Sequence, residues 1–278
     1  MRITRELQIA IHQLPVALPR MILSVAILVG ASQSVTPHYQ MQSTITDMTE
    51  GPALATTQES SDRDAKPQAY TTMARLEEYL IADKQVEVSL ARSAAPAAIS
   101  GEATVLVLTP RGYETAVTGK NGFVCVVNRA WQAPFSDPEF WNPKLRAPEC
   151  LNPQAVRSIL PMQMKRTELA LARKSKDEIM ARTKAAFEKK EFGLPEVGAM
   201  SYMMSKQQYL ADRFGHWHPH LMFYLPGTLK AAEWGANLPK SPVILGPEEL
   251  PDGTREPVLV FLVPLSRWSD DTPAEAHQ

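Results

Sequence analysis

The hydrophobic positions alternate between helical periodicity and short apolar runs. From residue 72 to about 93, Leu76, Tyr79, Val86 and Leu90 recur at helical spacing behind a capping Thr71 or Thr72, which predicts one helix. Asp83 falls on that stripe, either at its margin or as a carboxylate turned towards a site. Residues 103–108 (ATVLVL), 113–118 and 123–128 (FVCVVN) then read as strands. Thr109-Pro110-Arg111-Gly112 suits a tight turn, and Asn121-Gly122 is a hairpin signal. The expectation is an antiparallel meander covered on both faces.

The pattern then changes. Prolines stand at 134, 138, 143, 148 and 153, with Trp131, Phe135, Phe140 and Trp141 between them. That spacing forbids a long helix and predicts an irregular loop over 131–153. Such a loop serves either as a functional surface or as an aromatic-pinned wrap over the sheet. Asn152 and Pro153 start a helix that stops before Pro161, and residues 163–173 form another. Ser175 and Glu178 make a capping box for a helix running to about Lys190. Apolar runs at 199–204, 220–225 and 257–263 predict three more strands. The fold class expected is α+β: a single domain with a largely antiparallel sheet of about five or six strands and about four flanking helices.

The N-terminus carries a different signal. Arg2, Arg5 and Arg20 precede the apolar run Met21–Val29, and Gly30, Ala31, Ser32 and Ser34 follow it. This is the layout of a secretory signal over 1–34, with cleavage near Ser32 or Ser34. The run is about half the roughly 20 residues that a spanning helix needs, so no stable span is expected in the mature protein. Residues 35–70, rich in Ser, Thr and Gln, show no period and read as a disordered linker. The folded body then covers 71–265, with a polar tail over 266–278. Localisation is therefore read as periplasmic or extracellular.

Composition narrows this further. The chain of 278 residues has 29 Lys+Arg against 30 Asp+Glu, so nucleic acid is not an expected partner. The two cysteines, Cys125 and Cys150, are either one disulfide or two buried thiols. No phosphate-cradling glycine loop, nucleophile elbow or C-x-x-C motif occurs.

The candidate chemistry is concentrated in one place. Three of the six histidines fall in Gly215-His216-Trp217-His218-Pro219-His220. In an extended chain alternate residues point the same way, so His216, His218 and His220 could converge on a divalent metal such as zinc, copper or iron. Alternation also groups His220, Met222 and Tyr224 on one face, opposite Leu221, Phe223 and Leu225. Tyr202 and Met204 of the preceding strand would line the same pocket, and thioethers there would shift preference towards copper. Glu233 is the nearest downstream acid and a candidate base or partner of a ligand. The opposing reading is a turn whose imidazoles bond to backbone.

The segments Gly198–Gln207 (GAMSYMMSKQ) and Gly215–Pro226 (GHWHPHLMFYLP) resemble a family of exported bacterial proteins that brings no known activity. The likeness extends over much of 73–265 and implies export and a shared domain. The order helix, strand, Pro/Gly turn, strand at the start of the body is also similar to split-barrel flavin proteins. Two functions are therefore carried forward. One is a metal-binding or metal-dependent hydrolytic domain using the histidines; the alternative is a non-catalytic interaction module using the loop 131–153.

Overall fold

A computed structural model of the chain describes residues 70–274. The segment read as signal, 1–34, and the linker read over 35–70 lie outside the described residues except for Tyr70, whose N–H donates to the Pro138 carbonyl at 3.0 Å; residues 275–278 lie outside them too.

The architecture is α+β. Its strands are β1 (Thr104–Thr109), β2 (Gly112–Val117), β3 (Val124–Asn128), β4 (Ala147–Leu151), β5 (Met200–Met203), β6 (His220–Pro226), β7 (Ile244–Leu245) and β8 (Val258–Pro264). They form one eight-stranded mixed sheet in the order β2-β1-β3-β4-β5-β6-β8-β7. The helices are α1 (Leu76–Tyr79), α2 (Lys84–Arg92), α3 (Ala97–Ser100), α4 (Pro153–Ser158), α5 (Leu160–Leu171) and α6 (Lys176–Glu188). The α2 helix covers one face, burying Val88 and Ala91 against Val105, Val107 and Val127. On the other face α4 and the start of α5 bury Ala155 and Ile159 against Val126, Leu151 and Tyr224.

Four departures from expectation have local causes. First, the helix over 72–93 is broken in two. Asp83 is the N-cap of α2 and its carboxylate accepts from the Gln85 N–H at 2.8 Å, so it neither lines a stripe nor faces a site.

Second, β1, β2 and β3 are not a meander. β2 pairs antiparallel with β1, but β3 pairs parallel with β1 on its other side. The connection therefore passes under the start of β1. A Cβ at Gly119 would stand 2.2 Å from the Ala103 carbonyl carbon, so only glycine permits that crossing. Asn121 completes it by donating to the Ile99 carbonyl at 2.7 Å while accepting from the Phe123 N–H at 3.1 Å. The Asn-Gly pair thus belongs to a crossover, not a hairpin.

Third, the sheet exceeds the expected five or six strands because β4 lies inside the proline-rich stretch and β7 is only two residues long. Pro148 is tolerated in β4 because its missing N–H falls in a gap. Even-numbered residues turn towards β5, and there Arg146 bridges Tyr209 and Cys150 pairs with Tyr202, with nothing paired between them.

Fourth, the polar stretch after 265 is not detached up to residue 274. Arg267 bridges Pro273, Trp268 is buried, and the Ser269 N–H donates to the Met204 carbonyl at 3.0 Å.

The loop 131–153 is a wrap. Trp131, Phe135, Phe140 and Trp141 are all buried in the largest apolar cluster with Tyr79, Leu145 and Leu169. Trp131 also donates from its indole nitrogen to Thr167 of α5 at 3.0 Å. The alternative interaction surface is therefore core: a partner could reach these rings only by opening the domain. Cys125 and Cys150, on adjacent strands β3 and β4, are joined as a disulfide that closes the base of this wrap.

Candidate functional site

Gly215, at φ 66°, turns the chain out of a tight bridge between Ala211 and Gly215 and into the histidine segment. The chain then runs without regular structure to Pro219, whose carbonyl accepts from the Leu265 N–H at 2.7 Å. Since Pro219 donates nothing, regular pairing starts at His220, the first residue of β6.

The three histidines have different surroundings. His216 is exposed and sets its ring edgewise against Trp268, centroids 5.7 Å apart. His218 is half-buried, with the Trp217 ring 5.6 Å away. His220 is buried, and Trp217 lies edgewise over it at 4.8 Å. Its Nδ1 stands 2.7 Å from the His218 carbonyl. A carbonyl can only accept, so Nδ1 carries the proton and Nε2 is left as the ring's acceptor. Burial lowers the His220 pKa to about 4, opposed by that same hydrogen bond, so the ring is neutral at neutral pH. Among the described residues, no group of three or more His, Cys, Asp or Glu side chains is gathered as a metal site.

The β5–β6 register decides what surrounds His220. Met203 lies directly opposite it, Ser201 opposite Met222, and Tyr202 opposite Leu221. Directly opposed residues share a face. The pocket face is therefore Met203, Ser201, His220, Met222 and Tyr224. Tyr202 points the other way, into the cluster around the disulfide. Met204 lies past the end of β5, its N–H donating to the Ala94 carbonyl at 2.9 Å. Glu233 is exposed in a short 3-10 helix, Ala231–Trp234, whose Trp234 packs on Phe261. Phe261 opposes Phe223, so that element covers the face opposite His220.

Farther along the same face, Tyr224 belongs to a buried polar network that sequence reasoning missed. Glu149 of β4 accepts from Asn128, from Gln163 of α5 at 2.8 Å and from the Tyr224 hydroxyl, which bonds in turn to Ser201 at 2.9 Å. Burial, with Glu149 beside it, pushes the Tyr224 hydroxyl well above its usual pKa, so it stays a donor. The signal that could have found this network is an acid in the apolar setting Ala147–Leu151. Glu149 is fully enclosed, so the network sets which strands lie side by side and offers no surface to a substrate.

A cleft of about 520 Å³ opens between the β1–β2 turn and α5, lined by Arg111, Tyr113, Lys165, Glu168 and Phe192. Its charges pair at the rim, Arg111 with Glu114 at 2.8 Å and Lys165 with Glu168 at 3.2 Å. A smaller cavity, about 20 Å³ beneath α5 and α6, is the size of one water molecule.

These features define the chain as an α+β domain with an eight-stranded mixed sheet, one cross-strand disulfide and a His–Met corner at one end of the sheet. No family model, curated protein or solved structure matches it.

Proposed function

We propose that this chain is an exported, disulfide-stapled domain that binds a transition-metal ion at His218 and His220. The observation that carries this reading is the 2.7 Å hydrogen bond from His220 Nδ1 to the His218 carbonyl. A second bond of this kind is how proteins fix the tautomer and aim of a metal-ligating imidazole, and it points the Nε2 lone pair outward from the ring. His218 supplies a neighbouring imidazole two residues away. His216, turned to Trp268, is not needed for the site. Zinc, copper and iron all take neutral imidazole.

Export is supported by two features. Met1–Ser34 has the layout of a secretory signal. The Cys125–Cys150 bond suits an oxidising compartment. The hydrolytic form of the reading is not carried further, because Glu233 sits on an element covering the opposite face.

The test is metal analysis of the full chain, secreted without a polyhistidine tag and repleted with zinc, copper or iron. About one ion per chain is expected, lost on His220→Asn, which keeps a donor for the His218 carbonyl but removes the ring acceptor. Less than about 0.1 ion per chain after repletion would refute the reading.

A further inference from the structure

The flanks of His220 are more specific than the histidines themselves. Its direct cross-strand neighbour is Met203, and two residues along its own strand lies Met222. All three share one face. Directly opposed side chains start about 4.5–5.5 Å apart at Cβ, and same-face neighbours on a strand about 7 Å apart. Methionine has three rotatable bonds, so both sulfurs can reach a point near the imidazole. Met203 is buried and Met222 packs with it in one apolar cluster that also holds Trp131, Phe140 and Leu210. Trp217 packs edgewise on the ring, centroids 4.8 Å apart.

From this juxtaposition we propose that the corner is a site for a soft, monovalent d10 ion, cuprous copper, held by His220 and the thioethers of Met203 and Met222. The proposal rests on the reading of His220 as a metal ligand and deepens it. Two arguments select the ion. Thioether sulfur favours Cu(I) over zinc or iron(II), which prefer nitrogen and oxygen donors. The second is charge. Imidazole and two thioethers are all neutral, so the site offers no negative charge to offset the ion's desolvation. That cost rises with the square of the charge, so a monovalent ion meets about a quarter of the penalty of a divalent one. Thiolates do not compete, because both cysteines are tied up in the disulfide.

The experiment uses the full secreted chain with its disulfide intact and no polyhistidine tag. Ag(I) serves as a redox-inert stand-in for Cu(I), with Zn(II) titrated in parallel. Met203→Leu and Met222→Leu conserve volume and polarity, so they leave the fold in place. Each is expected to weaken Ag(I) binding at least about tenfold, since even outer partners of a metal site cost that much. Zn(II) binding should change less than about twofold in the same variants, while His220→Asn weakens both ions. A second readout needs no substitution: the ε-methyl NMR signals of Met203 and Met222 should move with one equivalent of Ag(I). Equal Ag(I) affinity in the wild type and both leucine variants, with unmoved methyl signals, overturns the thioether site. Zn(II) binding that depends on His220 with no Ag(I) binding also overturns it, but leaves the histidine reading standing. If neither ion binds, both fall.

Discussion

Glu87→Gln probes the contact that ties the N-terminal helices to the sheet. Glu87 of α2 and Arg129 at the end of β3 are 1% and 0% exposed and meet at 2.9 Å. The same Glu87 oxygen accepts the Leu108 N–H of β1 at 3.0 Å. Arg129 also donates to the Tyr79 carbonyl of α1 at 2.7 Å and to the Val127 carbonyl. Four segments, α1, α2, β1 and the end of β3, therefore converge on one ion pair. Glutamine keeps an oxygen for Leu108 but leaves the guanidinium buried among neutral carbonyls. Removing one partner of a buried pair costs about 3–5 kcal/mol. The exposed pair Arg157–Glu196, at 57% and 40% side-chain exposure, should contribute no more than about 1 kcal/mol. Against a total stability of about 5–15 kcal/mol, the first is a large fraction and the second is not. The assay is guanidinium unfolding followed by circular dichroism and tryptophan fluorescence. Arg129→Met alone should be as costly. The double variant should lose at least about 2 kcal/mol less than the sum of the singles, because the isolated charge is gone. A Glu87→Gln variant within about 1 kcal/mol of wild type, or strictly additive losses, would refute the reasoning.

Other consequences are simpler to test. Replacing both Cys125 and Cys150 by Ala opens a crosslink of sequence separation 25 and should cost about 3.5 kcal/mol in the chain-entropy account; an unchanged unfolding midpoint would contradict it. Trp131→Ala should cost about 3–5 kcal/mol through its cavity, while Trp234→Ala, at 49% exposure on Phe261, should cost less than half as much; a mild Trp131 variant would reopen the loop as a surface. The Asp212 carboxyl is held down to a pKa of about 2 by hydrogen bonds from Tyr209 at 2.6 Å and Tyr70 at 2.5 Å. Its folded pKa lies below the ordinary 3.8, so its contribution is present above that pH and fades as pH falls towards 2. Carboxyl NMR should place the wild-type midpoint near 2 and that of Tyr209→Phe higher; a wild-type midpoint at 3.8 would rule the contacts out.

What could be read in advance was whatever depends on neighbours in sequence. Ser175 and Glu178 cap α6 reciprocally, and Asn152 with Pro153 opens α4, because a cap spans only four residues. The apolar runs became β1, β2, β3, β5, β6 and β8 for the same reason. β4 escaped because Pro148 argues against a strand unless its missing N–H falls in a gap, and only the arrangement of Arg146, Tyr209 and Tyr202 creates one. Asn121-Gly122 misled because a turn and a crossover ask the same of a local sequence. What separates them is the close approach at Gly119, which involves Ala103.

The histidine corner shows the same limit more sharply. Alternation along β6 correctly grouped His220, Met222 and Tyr224, since that grouping is internal to one strand. Which β5 residues join them depends on register. Met200 opposes Phe223 and Met203 opposes His220, so each pair joins an even-numbered with an odd-numbered residue. That parity sends Tyr202 to the far face and brings Met203 beside the ring. A shift of one residue would have reversed both, and neither strand's own pattern forbids it, because methionines stand at 200 and 203 in β5 and at 204 just past its end. The choice is made elsewhere on the sheet. Ser201 must reach Tyr224, and Tyr224 must reach Glu149, for these buried hydroxyls to be paired. A one-residue slip would strand those hydroxyls in the core without partners, at about 1–3 kcal/mol each. The polar network that no substrate can reach is thus what holds Met203 against His220, so loosening Glu149 should disturb the His–Met corner at a distance.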